Sequence, residues 1–135
     1  MNFPGPYPSK PVYDYNTFDL VRLIRKMNAG LDHNEKEFGG RTDFAVSCTA
    51  MPVAKRMDAE LTRMEKKITA GADFFQTQVV YDADNTIEFL KAAMPLGKPV
   101  PVGIMPLKSV KLAKFMAMGD IAGTNELIAF TRSLV

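Results

Sequence analysis

Three short apolar runs, each followed by a helical stretch, recur along this chain, and that repetition restricts its fold more than any other feature. Residues 44–50 (FAVSCTA) are rich in strand formers and stop at Pro52. Asp58 stands where it would cap a helix carrying Leu61, Met64 and Ile68 on one face and closed by Gly71. Residues 74–81 (FFQTQVVY) read as a second strand. Asp84 or Asn85 then opens a helix with Ile87, Leu90 and Met94 inward, ended by Pro95 and Gly97. Residues 100–105 (VPVGIM) read as a third strand, followed by a helix over about 109–118 and a shorter one from about Asn125. Strands alternating with helices of this length predict βαβ units and parallel strands. Parallel strands are covered on both faces, which accounts for near-continuous apolar runs.

Ahead of this block the chain has a different character. The first twelve residues hold Pro4, Pro6, Pro8 and Pro11, so residues 1–14 read as an extended arm. A helix follows, capped by Asn16 or Thr17, with Phe18, Leu20, Val21, Ile24 and Met27 at mostly helical spacing and Gly30 at its C-terminal cap. Residues 31–42 (LDHNEKEFGGRT) are polar and read as a loop.

Length and charge exclude several classes. A chain of 135 residues holds one domain. Seventeen Lys and Arg against fifteen Asp and Glu is no nucleic-acid signature. The apolar stretches are too interrupted for a membrane span, the N-terminus is unlike a secretory signal, and the composition suits a soluble, cytoplasmic protein. One cysteine, Cys48, and one histidine, His33, rule out a disulfide framework and the common zinc patterns; we expect no metal site. Neither G-x-G-x-x-G nor G-x-x-x-x-G-K follows any strand, which disfavours a nucleotide-binding sheet and favours part of a (β/α)₈ barrel.

In such a barrel the chemistry lies at the C-terminal ends of the strands. Gln78 is the most informative residue there. A carboxamide at a strand end buried on both faces needs partners, and it offers a donor beside an acceptor, which suits the edge of a heterocycle. It shares parity with Phe74 and Gln76, while Phe75, Thr77 and Val79 point the other way. The alternative is a glutamine paired with neighbouring backbone. Lys67 and Arg63 share a helix face, with Lys66 one step round and Glu60 nearby. Together they suit a phosphate and ribose, or else form a solvated face of ion pairs. Cys48 reads as a core residue, and Asp82 and Asp84 as turn and cap residues.

The segments KPVYDYNTFDLVRLIRKMN, GGRTDFAVSCTA, LTRMEKKITAGADFFQTQVVYD and PVPVGIMPLKS, in that order, resemble methylenetetrahydrofolate reductase over roughly residues 9–130. The likeness is greatest to the reductase half of proteins that fuse it to a homocysteine methyltransferase. The resemblance implies a (β/α)₈ barrel that binds FAD. It also implies that NAD(P)H and then 5,10-methylenetetrahydrofolate use one pocket in turn, giving 5-methyltetrahydrofolate. By the same resemblance Gln78 matches the substrate-binding glutamine that meets the pterin of folate and the nicotinamide cofactor. Glu60, Arg63, Lys66 and Lys67 match FAD-contacting positions, and Met51 matches a further flavin-contacting position.

Counted against the family, the three strands look like its fifth, sixth and seventh, so the chain reads as a fragment of one barrel domain. The acidic residue on the family's first strand, its proton donor to folate, and the aspartate ending the fourth have no counterpart here, so no catalytic residue is assigned. The expectation is a chain that does not turn over alone and that associates with itself or with a complementary barrel half. Two alternatives stand beside this reading. One is a phosphate-sugar lyase or isomerase on a related barrel; the other is a non-catalytic subunit that completes a reductase barrel.

Overall fold

The structure is a computed structural model that describes residues 13–112. The proline arm up to residue 12, most of the helix expected over 109–118 and the one expected from Asn125 lie outside the described residues. Five elements run in the order α1 (Thr17–Asn28), β1 (Ser47–Ala50), α2 (Met57–Ala70), β2 (Phe74–Thr77) and α3 (Ala83–Ala93), the last continuing into a 3₁₀ turn over Met94–Leu96. The chain is therefore α/β, as the alternation of strand and helix signals predicts.

Asn16 caps α1, its side-chain oxygen accepting from the N–H groups of Phe18 and Asp19 at 2.9 and 3.0 Å. Val21 is buried, with Phe18 and Ile24 packed beside it, whereas Leu20 falls off this face and is half exposed. The polar loop after α1 is held by side chains. Asp32 accepts from the N–H groups of Asn34 and Lys36. The Asn28 carboxamide donates to the carbonyl of Phe44 and accepts from its N–H, at 2.8 and 2.9 Å, as a neighbouring strand would.

β1 and β2 pair in parallel, from Ser47 opposite Phe74 to Ala50 opposite Thr77. Their lengths fall short of the apolar runs for identifiable reasons. At the start of β1, the Val46 N–H donates to the Asp73 carboxylate at 2.8 Å instead of to a strand. On its other edge β2 faces the third segment. That segment runs parallel but forms only a single bridge, Val79 opposite Gly103, and no strand over 100–105. Prolines explain the correction: the N–H groups of Phe75 and Thr77 donate to the carbonyls of Pro99 and Pro101, which have no N–H to return. Gly103 restores contact, its N–H donating to Thr77 Oγ1 at 2.8 Å. A Cβ at Gly103 would lie 3.0 Å from the Thr77 carbonyl oxygen, so any larger residue there would push the two backbones apart by a few tenths of an ångström.

Two helix assignments also shift. Asp58 lies in the first turn of α2 and pairs with Arg56, which occupies the cap position without capping. In α3, Asp82 is the cap, accepting from the Asn85 N–H at 2.9 Å, and the inward residues are Thr86, Phe89 and Ala93. Ile87 is 49% exposed and Met94 more so. The bulkiest side chain, Phe89, takes the core position, and small Thr86 and Ala93 one turn either side let the helix approach.

The core joins one face of the sheet (Cys48, Ala50 and Phe75) to Val21, Met64, Ala70 and Phe89 from the helices. Phe75, Met64 and Phe89 are fully buried. No helix of the described residues is long and apolar enough to cross a membrane.

Candidate functional site

Alternation along the two strands sorts their side chains. Cys48, Ala50, Phe75 and Thr77 are buried under the helices, while Ser47, Thr49 and Gln76 on the opposite face are exposed. Among the described residues no helix covers this second face, which departs from the general pattern for a parallel sheet. Gln78 has the parity of Gln76 and is partly buried; its backbone N–H donates to the carbonyl of Ala50 at 3.0 Å. This bond places Gln78 beside the C-terminal end of β1, where Met51 is 40% exposed.

The four charged residues of α2 do not form one cluster. Glu60 and Lys67 are seven residues apart, on the same buried face as Met64. Lys67 Nζ donates to the carbonyl of Thr49 at 2.6 Å, and Glu60 Oε1 accepts from the Met51 N–H at 3.2 Å. Each thus gives its buried charge a backbone partner at the end of β1. Arg63 lies at the rim, 58% exposed, and donates to Glu60 Oε2 at 3.0 Å. Lys66 is exposed and makes no ion pair among the described residues. With Phe18, Arg56, Asp58 and Thr62, Arg63 and Lys66 line a groove of about 460 Å³ between the starts of α1 and α2.

Thr49 and Gln76 share the bare face with Gln78. Sequence periodicity contained that signal, since parity along each strand fixes which residues lie on one face, but without the fold it did not say which face stays bare. Burial of Glu60 and Lys67 carried no such signal, because spacing on a helix does not show where its neighbours stand. Burial pushes the Cys48 thiol up, opposed by the Lys67 charge, which suits a core residue rather than a nucleophile. Burial likewise raises the Tyr81 phenol, whose hydroxyl has no partner among the described residues. No group of three or more His, Cys, Asp or Glu that could hold a metal ion occurs among the described residues.

Comparison with known proteins shows the family to which the chain belongs. A family model described as methylenetetrahydrofolate reductase matches residues 7–124. The 5,10-methylenetetrahydrofolate reductase of Pectobacterium carotovorum is 31% identical over 119 residues, covering 83% of this chain and 35% of that protein. Its Escherichia coli counterpart is 29% identical over 105 residues, 73% of this chain and 31% of that protein. A probable methylenetetrahydrofolate reductase (NADPH) of Caenorhabditis elegans is 26% identical over 111 residues, 78% of this chain but 15% of that protein. The chain thus spans about a third or less of the length of these relatives. With 118 of its 135 residues (7 to 124) inside the family match, the chain belongs to the methylenetetrahydrofolate reductase family.

Proposed function

We propose that these residues form one part of a (β/α)₈ barrel that reduces 5,10-methylenetetrahydrofolate to 5-methyltetrahydrofolate, using FAD and a nicotinamide nucleotide. The rest of the barrel comes from polypeptide beyond these 135 residues. One observation carries the reading: a parallel sheet covered by helices on one face and, among the described residues, bare on the other, with Thr49 and Gln76 on the bare side and Gln78, of the same parity, at its C-terminal end. In a closed barrel that face is the interior, and that end is where substrates bind.

Gln78 serves as the substrate-reading residue. Its carboxamide presents a donor and an acceptor to the edge of a pterin, and the bond from its N–H to Ala50 holds the backbone from which it projects. Arg63 and Lys66 are cations open to solvent in one groove, which suits the diphosphate of a dinucleotide, and exposed Met51, whose N–H meets the same Glu60 that Arg63 pairs with, offers a rim position. Glu60 and Lys67 are turned to β1 and support that rim. FAD, when bound, supplies the hydride transfer. The residues of this chain bind and orient. The acid that gives folate its proton belongs to polypeptide outside these residues, so we expect the isolated chain not to turn over.

The test is a chimera in which residues 7–124 replace the matching segment of the Escherichia coli relative. Folate-dependent oxidation of NADH should persist. Gln78→Ala should raise the folate KM about tenfold, since an unpaired polar edge costs about 1–3 kcal/mol. Unchanged folate kinetics in that variant would remove Gln78 from the site, and a chimera that folds yet never oxidises NADH would overturn the reading.

A further inference from the structure

Three consecutive residues at the end of β1 are held alternately, the outer two by α2 and the middle one by the chain that continues β2. The carbonyl of Ala50 accepts the N–H of Gln78 at 3.0 Å. On one side of it the Thr49 carbonyl accepts from Lys67 Nζ at 2.6 Å; on the other the Met51 N–H donates to Glu60 Oε1 at 3.2 Å. Because backbone groups alternate along an extended strand, Ala50 turns its carbonyl to β2 while Thr49 turns its own away. The two charged side chains therefore meet the strand at its outer edge. There, among the described residues, no strand pairs with it.

Such an arrangement is costly unless it is complete. Glu60 is 3% and Lys67 5% exposed, and a charge that deep needs strong partners. Glu60 has two: the Met51 N–H at one oxygen and the Arg63 guanidinium at the other. Lys67 has the Thr49 carbonyl at short range. Fully buried Met64, between them on the same helix face, seats that face on the core.

We propose that Glu60 and Lys67 are positioning residues for Gln78. They clamp the peptides on both sides of Ala50, so that its carbonyl sets where the Gln78 backbone sits and hence where its carboxamide is presented. The site role of Gln78 rests on the function proposed above; the mechanical coupling does not. Either can fail without the other.

The experiment is amide hydrogen exchange by NMR on the 135-residue chain, which reads the coupling with no ligand present. Glu60→Ala should speed exchange at the Met51 and Gln78 amides about tenfold or more. It should leave the Val46 amide, at the opposite end of the sheet, within about twofold. Glu60→Gln, which keeps an acceptor oxygen at the same reach, should restore most of the protection, a rescue that a general loss of stability would not give. If Glu60→Ala does not fold, Glu60→Asp decides: its shorter arm should lift protection at Met51 and Gln78 alone. Lys67→Met should do the same at Gln78. Unchanged Gln78 exchange in the folded Glu60 variants, or acceleration at Val46 equal to that at Gln78, overturns the proposal. In the active chimera, Glu60→Ala and Gln78→Ala should raise the folate KM by less together than the product of their separate effects. Full multiplicativity there would show that Glu60 does not act through Gln78.

Discussion

At the N-terminal end of the sheet, Arg25 of α1 donates through Nε to the Gly71 carbonyl at 2.8 Å and pairs with Asp73, whose other oxygen accepts the Val46 N–H. A chain of side-chain bonds there ties α1 to the end of α2 and to the starts of β1 and β2. At the C-terminal end, α2 likewise supports β1, through Glu60 and Lys67, yet Met51, Gln76 and Lys66 remain exposed. Both ends carry carboxylates and cations. They differ in what is left over: nothing but structure at the first, and free donors and acceptors at the second. The end proposed above to bind is set apart by these exposed polar groups rather than by its charge.

The largest expected effect removes what both ends share. Phe75→Ala empties a fully buried site between them and should cost about 3–5 kcal/mol, read from the urea midpoint, with protection lost at both ends together. Loss at one end alone would mean the ends fold independently. Gly71→Ala attacks only the first end. Gly71 has φ +121°, and a Cβ there would sit 2.6 Å from Arg25 Cγ, so the substitution combines backbone strain with displacement of the arginine. It should lower stability by about 1–3 kcal/mol and expose the Val46 amide before that of Gln78.

Acid should sharpen the contrast by a smaller amount. The Val46 N–H, and after it Arg25, hold the Asp73 carboxyl below its ordinary value of 3.8. A lowered carboxylate contributes stability above its unfolded value and loses it as pH falls through the folded one. Wild type should therefore lose more stability than Asp73→Asn on going from neutral pH to below that value. Arg25 and Asp73 are 36% and 39% exposed, so screening keeps the difference under about 1 kcal/mol, and added salt should shrink it. Urea melts of the two proteins at both pH values test this. The smallest effect belongs to the second end: Lys66→Ala should shift the melt by less than about 0.5 kcal/mol. A larger loss would mean that Lys66 is structural after all.

Much of this architecture was legible because it rests on local rules. The Asn16 cap, the Gly71 stop, and strands that begin after helix ends follow from single residues and short periods. The parity of Gln76 and Gln78 was equally open to reading. What escaped required knowing which elements touch. The inward face of α3 turned on the fit of Phe89, Thr86 and Ala93 against their neighbours, not on the hydrophobicity of Ile87. Glu60 and Lys67 look like solvated charges until β1 is placed against α2. Pro101 stands inside the apolar run 100–105 and Pro99 just before it, and the N–H groups they lack keep that run from forming a strand.

Those two prolines make the third segment a zipper with teeth on one side. It receives hydrogen bonds from Phe75, Thr77 and Val80 and returns one only where Gly103 reaches the Thr77 hydroxyl. Separating it from β2 thus breaks one bridge, against the four residue pairs that join β1 to β2. When the sheet frays, it should peel from this margin inward, baring Phe75 and Thr77 while the pairing that seats Gln78 is still shut.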